Sequence, residues 1–400
     1  MLTRLKTNQY FLIAILLSPF LGYFSGKGII AYGPLIILML LVIVLEFLSP
    51  QRIALKDWGA VLAWLPYVGL ASYYYVSYPL DGRYLTTHLL AIITLPMITL
   101  SILCIQNKSN GARYSIFLYR SIRLFLFMQF IICLGQISTY TLGIGLPINE
   151  EYRDYFMITG TFYNPNDLGA VTLLIAFIFT GIERQFSLKR QGVIWSLIII
   201  LLLMSGSRSA LLATAVLFML TRGFNIKSIL LYSLILLFFI ISYNVFFSDT
   251  ESGVFFRFVY RLESLVNILK SGVGIDNSMG LRLDSYLHFI KNINSLGVGS
   301  GRLNDYYQYA DTAQFKTELM FQNPHSLIVE IGYWLGWPGL LTFALATLYL
   351  LQYSSKKLAV ILIVGISSLI PSSVLGNLIY FLLLQLCLFS SKDIRIVLET

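Results

Sequence analysis

An all-α polytopic membrane protein, with about 12 transmembrane helices and one long extracytoplasmic loop that contains amphipathic helices, is the fold class this sequence predicts. Three observations carry that expectation. Hydrophobic residues make up 57% of the 400 residues and charged residues 12%, and mean hydropathy is +0.76; such a composition cannot cover a water-facing surface. The apolar residues fall in runs of membrane length, and a helix of about 20 residues satisfies its own backbone polar groups in lipid. The runs also lack the short alternating segments of a transmembrane barrel.

Six helices are expected in the first half, near residues 9–25, 29–48, 58–78, 84–105, 116–139 and 166–182. Six more are expected near 192–206, 209–221, 228–247, 325–353, 358–376 and 377–389, several short enough to be tilted or partly re-entrant. The expected division is an N-terminal transmembrane bundle of about nine helices over 1–247, an extracytoplasmic loop domain over 248–323, and C-terminal transmembrane helices over 324–400. The start, Met1 to Gln9 and then Tyr10 to Phe24, resembles a secretory signal without a clean small-x-small cleavage site, and reads as an uncleaved first helix.

Basic residues fix the expected orientation, because they accumulate in short cytoplasmic loops. With the N-terminus inside, inner segments hold Arg4, Lys6, Arg52, Lys56, Lys108, Arg113, Arg184, Lys189, Arg190, Arg222, Lys227, Lys356, Lys357, Lys392 and Arg395. The short outer loops hold Lys27, Arg83, Arg153 and Arg208. Both termini are therefore expected in the cytoplasm, the protein in the cytoplasmic (inner) membrane, and the long loop outside. This bias accounts for the net charge of +9, so nucleic acid is not an expected partner. Cys104, Cys133 and Cys387 each lie in an apolar run, where a thiol acts as a small hydrophobe; neither a disulfide framework nor a metal site is implied. No repeat relates the two halves, which disfavours transporters built from duplicated bundles.

Four segments stand out as chemistry rather than scaffold. Ser205-Gly206-Ser207-Arg208-Ser209-Ala210 sits between two apolar runs at the expected outer face. An arginine at the bilayer centre costs about 2.5–3.5 kcal/mol, less near the interface. Arg208 is either an interfacial residue touching headgroups or, with backbone N–H groups of a helix start, an anion ligand. Gly280 to Tyr286 opens a run in which Leu283, Tyr286, Leu287, Ile290 and Ile293 recur at helical spacing, an amphipathic helix ended by Gly297-Val298-Gly299-Ser300-Gly301. There Arg282 either pairs with Asp284 or grips a phosphate with its planar guanidinium.

The third segment is Asn323-Pro324-His325-Ser326. Proline places His325 at a helix start, where the imidazole tends to stay neutral and able to accept a proton; His88 and His288 have weaker claims. Glu330 follows inside the apolar stretch, as a buried partner or a structural hydrogen-bonding group. The fourth segment is Gly160 to Gly169, in which Asn166 or Asp167 can cap the next helix. Its amides, Asn164 and Asn166, together with its aromatic rings also suit sugars.

The order of these segments resembles the O-antigen polymerase and O-antigen ligase superfamily: Gly160 to Gly169, then Ser-Arg208-Ser, then Gly-Leu-Arg282 with the glycine turn, then Pro-His325 before Gly332-Tyr333-Trp334-Leu335-Gly336-Trp337-Pro338-Gly339. The resemblance spans roughly residues 155–350. It implies a many-helix glycosyltransferase of the C type that acts on undecaprenyl-pyrophosphate-linked glycans, with no cofactor and no metal. It implies catalytic roles for Arg208, Arg282 and His325. Substrate contacts are expected from both arginines and from Asn164, Asn166 and Glu330. The chain departs from the family's frequent His-Asn pair at His325-Ser326, which puts a sugar-holding amide at position 326 in doubt. The implied partners are a lipid-linked glycan donor and acceptor, membrane lipid, a chain-length regulator and a flippase. The expected activity is a polymerase for O-antigen or capsule polysaccharide. A ligase that passes the glycan to lipid A core is the alternative within the superfamily, and a lipid-linked oligosaccharide flippase or transporter is the alternative from another class.

Overall fold

The computed structural model describes residues 2–25, 28–48, 55–77, 82–108, 111–149, 157–222, 286–287, 289–291, 326–371 and 375–389. Among these residues the regular structure is entirely helical. In chain order the helices are α1 (Leu2–Ser25), α2 (Gly28–Phe47), α3 (Leu55–Leu62), α4 (Leu65–Ser77), α5 (Gly82–Lys108), α6 (Gly111–Leu142), α7 (Pro165–Ile182), α8 (Leu188–Ser205), α9 (Arg208–Arg222), α10 (Leu327–Leu350), α11 (Lys357–Leu369) and α12 (Leu378–Leu388). Among the described residues five stretches are long and apolar enough to cross a membrane: Leu89–Gln106, Arg113–Leu142, Pro165–Gln185, Leu188–Ser205 and Leu327–Tyr353. The chain is an integral membrane protein. The expected span at 228–247, most of the loop at 248–323, and the segment after 389 lie outside the described residues.

Two expected spans differ in form. Residues 58–78 make two helices, α3 and α4, separated by a turn at Ala63–Trp64. The run 325–353 starts at Leu327 and breaks at Gly336, whose φ of 65° and ψ of −161° are not helical. Pro338, two residues on, lacks the N–H that a continuous helix would use. The break re-aims the chain. Leu327 and Val329 to Gly336 are buried, whereas Trp337, Leu341, Leu345 and Leu348 are exposed apolar side chains after it, the pattern of a face turned to lipid.

α7 and α12 form the centre. Both are buried along nearly their whole circumference, as expected for helices that are apolar all round. They run parallel, because both finish at the same connection: the Tyr353 ring lies 5.0 Å from that of Phe389, just after α12, and Lys356 lies within electrostatic range of Arg184 and Glu183, just after α7. Buried polar side chains tie the layers together. Trp64 Nε1 donates to Thr99 Oγ1 at 2.9 Å, the Thr99 hydroxyl donates to Gln385 Oε1 at 2.7 Å, and Gln385 Nε2 donates to the Leu95 carbonyl at 2.9 Å. In lipid each such group must find an internal partner, so this chain pins α5 and α12 to the α3–α4 turn.

Candidate functional site at one end of the bundle

The loop before α7 is held by two glutamines on α6. Gln129 and Gln136 are seven residues apart, two helical turns, and so share a face; both are fully buried. Gln136 Oε1 accepts the N–H groups of Thr159 at 3.2 Å and Gly160 at 3.0 Å, and its Nε2 donates to the Gly160 carbonyl at 2.9 Å. Gln129 Oε1 accepts from Thr161 N at 3.1 Å while its Nε2 donates to Thr161 Oγ1 at 2.6 Å. Gly160 has φ +61°, and a Cβ there would lie 2.5 Å from Gln129 Oε1, so glycine is required both by conformation and by space.

This clamp delivers the chain to the start of α7. Asn164 is the N-cap: its extended backbone turns into the helix, its side-chain oxygen accepts from Asn166 N at 2.9 Å, and Pro165 occupies the first helical position. The expected caps, Asn166 and Asp167, instead lie in the first turn. Asn164 and Asp167 are buried, Asn166 is half-buried, and Tyr163 is exposed. The side chains of this segment that reach the surface are thus Tyr163 and, in part, Thr161 and Asn166.

The Ser-Gly-Ser-Arg motif makes the elbow between α8 and α9. Gly206 adopts the left-handed conformation (φ 58°, ψ 19°) and ends α8, as a helix stop by glycine does. Ser205 Oγ accepts from Ser207 N at 3.2 Å. The Ser207 carbonyl accepts from Leu211 N at 3.0 Å, which makes Ser207 the residue before the first turn and Arg208 the first residue of α9. The elbow packs directly on α7: a Cβ on Gly169 would meet Ser207 Cβ at 2.6 Å and Ala210 Cβ at 3.1 Å. Ser207 is buried, and its hydroxyl has no hydrogen-bond partner among the described residues. The Arg208 side chain lies outside the described residues.

α10 begins in the same manner. Ser326 is its N-cap, with φ −165° and ψ 133°, and makes no side-chain cap bond; its hydroxyl too is buried without a partner among the described residues. Glu330, one turn in, is fully buried. Its Oε2 accepts from Leu375 N at 3.2 Å, which ties the connection before α12 to α10. Tyr67 and Tyr380 lie within electrostatic range of that carboxylate.

A fragment of the long loop rests on this same end. The Tyr286 hydroxyl donates to the Leu369 carbonyl at 3.3 Å, at the finish of α11. Phe289 is buried over α10, with its ring 5.5 Å from that of Tyr333 and in contact with Gly332. The expected apolar stripe included Leu287 and Ile290; these are exposed, and Phe289 is the residue that docks. Residues 286–287 and 289–291 are helical, and Tyr286 of the expected stripe meets the bundle together with Phe289, whereas Leu287 and Ile290 turn away from it.

The starts of α7, α9, α10 and α12 therefore share one end of the bundle: Gly169 meets Ser207, α12 and α7 finish together at the other end, and Glu330 reaches Leu375. Of the residues expected from sequence, Asn164, Asn166, Glu330 and the backbone of Arg208 belong to this end. Arg282 and His325 lie outside the described residues. Gln129, Gln136, Ser207 and Ser326 were missed. Two glutamines at a seven-residue spacing inside an apolar run were the available signal for the first pair. No curated protein matches the chain. A family model described as O-Antigen ligase matches residues 192–344, a narrower stretch than the resemblance suggested, from α8 past Arg208, Arg282, His325 and Glu330 into α10. Over residues 192–344 the chain is therefore similar to the O-antigen ligase family.

Proposed function

We propose that the protein is a membrane glycosyltransferase that polymerises polysaccharide, moving an undecaprenyl-pyrophosphate-linked glycan onto a sugar hydroxyl of a second lipid-linked repeat unit. The observation that carries this reading is the pair of uncapped helix starts, Ser207-Arg208 on α9 and His325-Ser326 before α10, at the same end of the bundle. A serine in that position ordinarily accepts an N–H of the first turn. Here neither hydroxyl does so. The N–H groups of the two first turns are thereby left to an incoming anion, aided by the positive end of each helix dipole.

In this mechanism the pyrophosphate of the donor lies against the start of α9, and Arg208 and Arg282 take up the charge that develops on it as the glycosidic bond to phosphate breaks. Arg282 stands four residues before Tyr286, whose hydroxyl touches the end of α11. His325 is bonded to Ser326, the N-cap of α10. As a neutral imidazole it accepts the proton of the attacking hydroxyl, whose oxygen forms the new bond to the anomeric carbon. Glu330, being buried, serves as an internal positioning group for α10 and the α12 approach rather than a direct sugar contact. Tyr163 and Asn166 offer a ring and an amide to the glycan. The reaction end faces away from the cytoplasm, and no metal takes part.

The matching family's description favours a second reading, a ligase that transfers the finished glycan to lipid A core. Purified protein incubated with lipid-linked repeat units separates the two. A ladder of products supports the polymerase; transfer once to an added core acceptor with no ladder makes the protein a ligase; unchanged lipid removes both. The activity is expected to persist in EDTA, and loss reversed by magnesium would overturn the metal-free step.

A further inference from the structure

A groove of 420 Å³ opens between the first halves of α1 and α6, far from the reaction end. Along α6 the distance from Arg113 to Gln136 is about 35 Å at 1.5 Å per residue. Arg113 and Arg120 line the groove with Gln9 and Ser121. The two arginines are two turns apart and so share a stripe of the helix, both side chains are exposed, and neither has a carboxylate partner among the described residues. The remaining walls are apolar, with Leu17, Ile116, Phe117 and Leu124 prominent.

Two facts make these cations more than a topological signal. α6 has 32 residues, about 48 Å against a hydrocarbon core of about 30 Å, so its first turns stand at headgroup level. Arg120 nevertheless falls within the apolar stretch Arg113–Leu142, where an arginine needs an anionic or polar partner. Arg123, one turn further, is otherwise engaged, 5.7 Å over the Tyr119 ring. The groove thus offers a place for one phosphate at its charged rim and for hydrocarbon along its walls.

We infer that this groove binds an anionic phospholipid of the adjoining leaflet, its phosphate held between Arg113 and Arg120 with Gln9 and Ser121 as neutral partners, and an acyl chain laid along Leu17, Phe117 and Leu124. A basic pocket between transmembrane helices selects anionic over zwitterionic headgroups, and the apolar walls select a chain-bearing phosphate over a free one. The lipid would join the first half of α1 to that of α6 across the groove.

Native mass spectrometry of the full-length protein in detergent, titrated with phosphatidylglycerol and phosphatidylcholine, tests this. The wild type is expected to retain phosphatidylglycerol about 30-fold better, from two surface cations, and the R113Q/R120Q pair is expected to lose that preference. Leu17→Trp, which fills the groove and leaves both charges, is expected to lose phosphatidylglycerol as well, and Arg113→Lys with Arg120→Lys to keep most of the preference. Equal retention of both lipids by the wild type, an undiminished preference in R113Q/R120Q, full binding by Leu17→Trp, or displacement by millimolar inorganic phosphate would each overturn it. Because these readouts involve no transfer reaction, they stand or fall apart from the proposed activity.

Discussion

The start of α7 and the starts of α9 and α10 lie at the same end of the bundle but are built in opposite ways. Asn164 closes α7 with its own side chain, Pro165 removes one N–H from need, and Gln129 and Gln136 hold the approaching loop through buried hydrogen bonds. Ser207 and Ser326 occupy the equivalent place before α9 and α10, yet their buried hydroxyls cap nothing. A buried hydroxyl without a partner costs about 1–3 kcal/mol, and Ser207 and Ser326, neighbours in sequence of Arg208 and His325, each have one with no partner among the described residues. On the proposed reading, the difference separates a start made for stability from two starts left open for a ligand.

The largest expected effect breaks the open side of this comparison. Arg208→Ala or Arg282→Ala should lower the rate of polymer formation by about 10²–10³-fold, the usual consequence of removing one charge-stabilising donor, and His325→Ala should stop transfer while lipid-donor binding survives. Unchanged polymer length in any of the three removes that residue from the mechanism. Next comes the closed side. Gln136→Leu strands the N–H groups of Thr159 and Gly160, so thermal unfolding in detergent should show a loss of about 2 kcal/mol or more; an unaltered melting temperature would mean the clamp is dispensable.

The two kinds of helix start can then be set against each other directly. Ser207→Ala or Ser326→Ala removes a hydroxyl that no described residue uses, so stability should hold or rise slightly, whereas transfer should fall by about 10-fold or more through a lost hydrogen bond to a charged group. Asn164→Ala should do the reverse, with a loss of about 1 kcal/mol in stability and residual activity that follows the folded fraction. Similar behaviour of the serine and asparagine variants in both assays would erase the distinction.

Hydropathy made the membrane helices legible because each must carry its own apolar length, and helices lie over the expected spans from 9–25 to 209–221 and from 325–353 to 377–389. It could not show the breaks at Ala63–Trp64 and Gly336, since a run stays apolar across a kink. The Ser-Arg elbow and the Asn164 segment were visible as motifs, and the cap was assigned two or three residues late because Asn164, Asn166 and Asp167 all suit that position. What composition hides is tertiary pairing. Gln129 and Gln136 read as isolated polar residues until the 159–161 loop is laid against them, and Phe289 was passed over because its apolar neighbours fit the helical period better. Arg120 was likewise absorbed into an apolar run.

The most direct test is an electron cryo-microscopy structure of the full-length protein with an undecaprenyl-pyrophosphate-linked repeat unit bound. Pyrophosphate density at the first turn of α9, within hydrogen-bond distance of Ser207 or the adjoining backbone N–H groups and contacted by the Arg208 and Arg282 guanidiniums, with the His325 ring beside the anomeric carbon, is the expected result. Density for the pyrophosphate away from that turn, or Arg282 and His325 on the other side of the membrane, would contradict it.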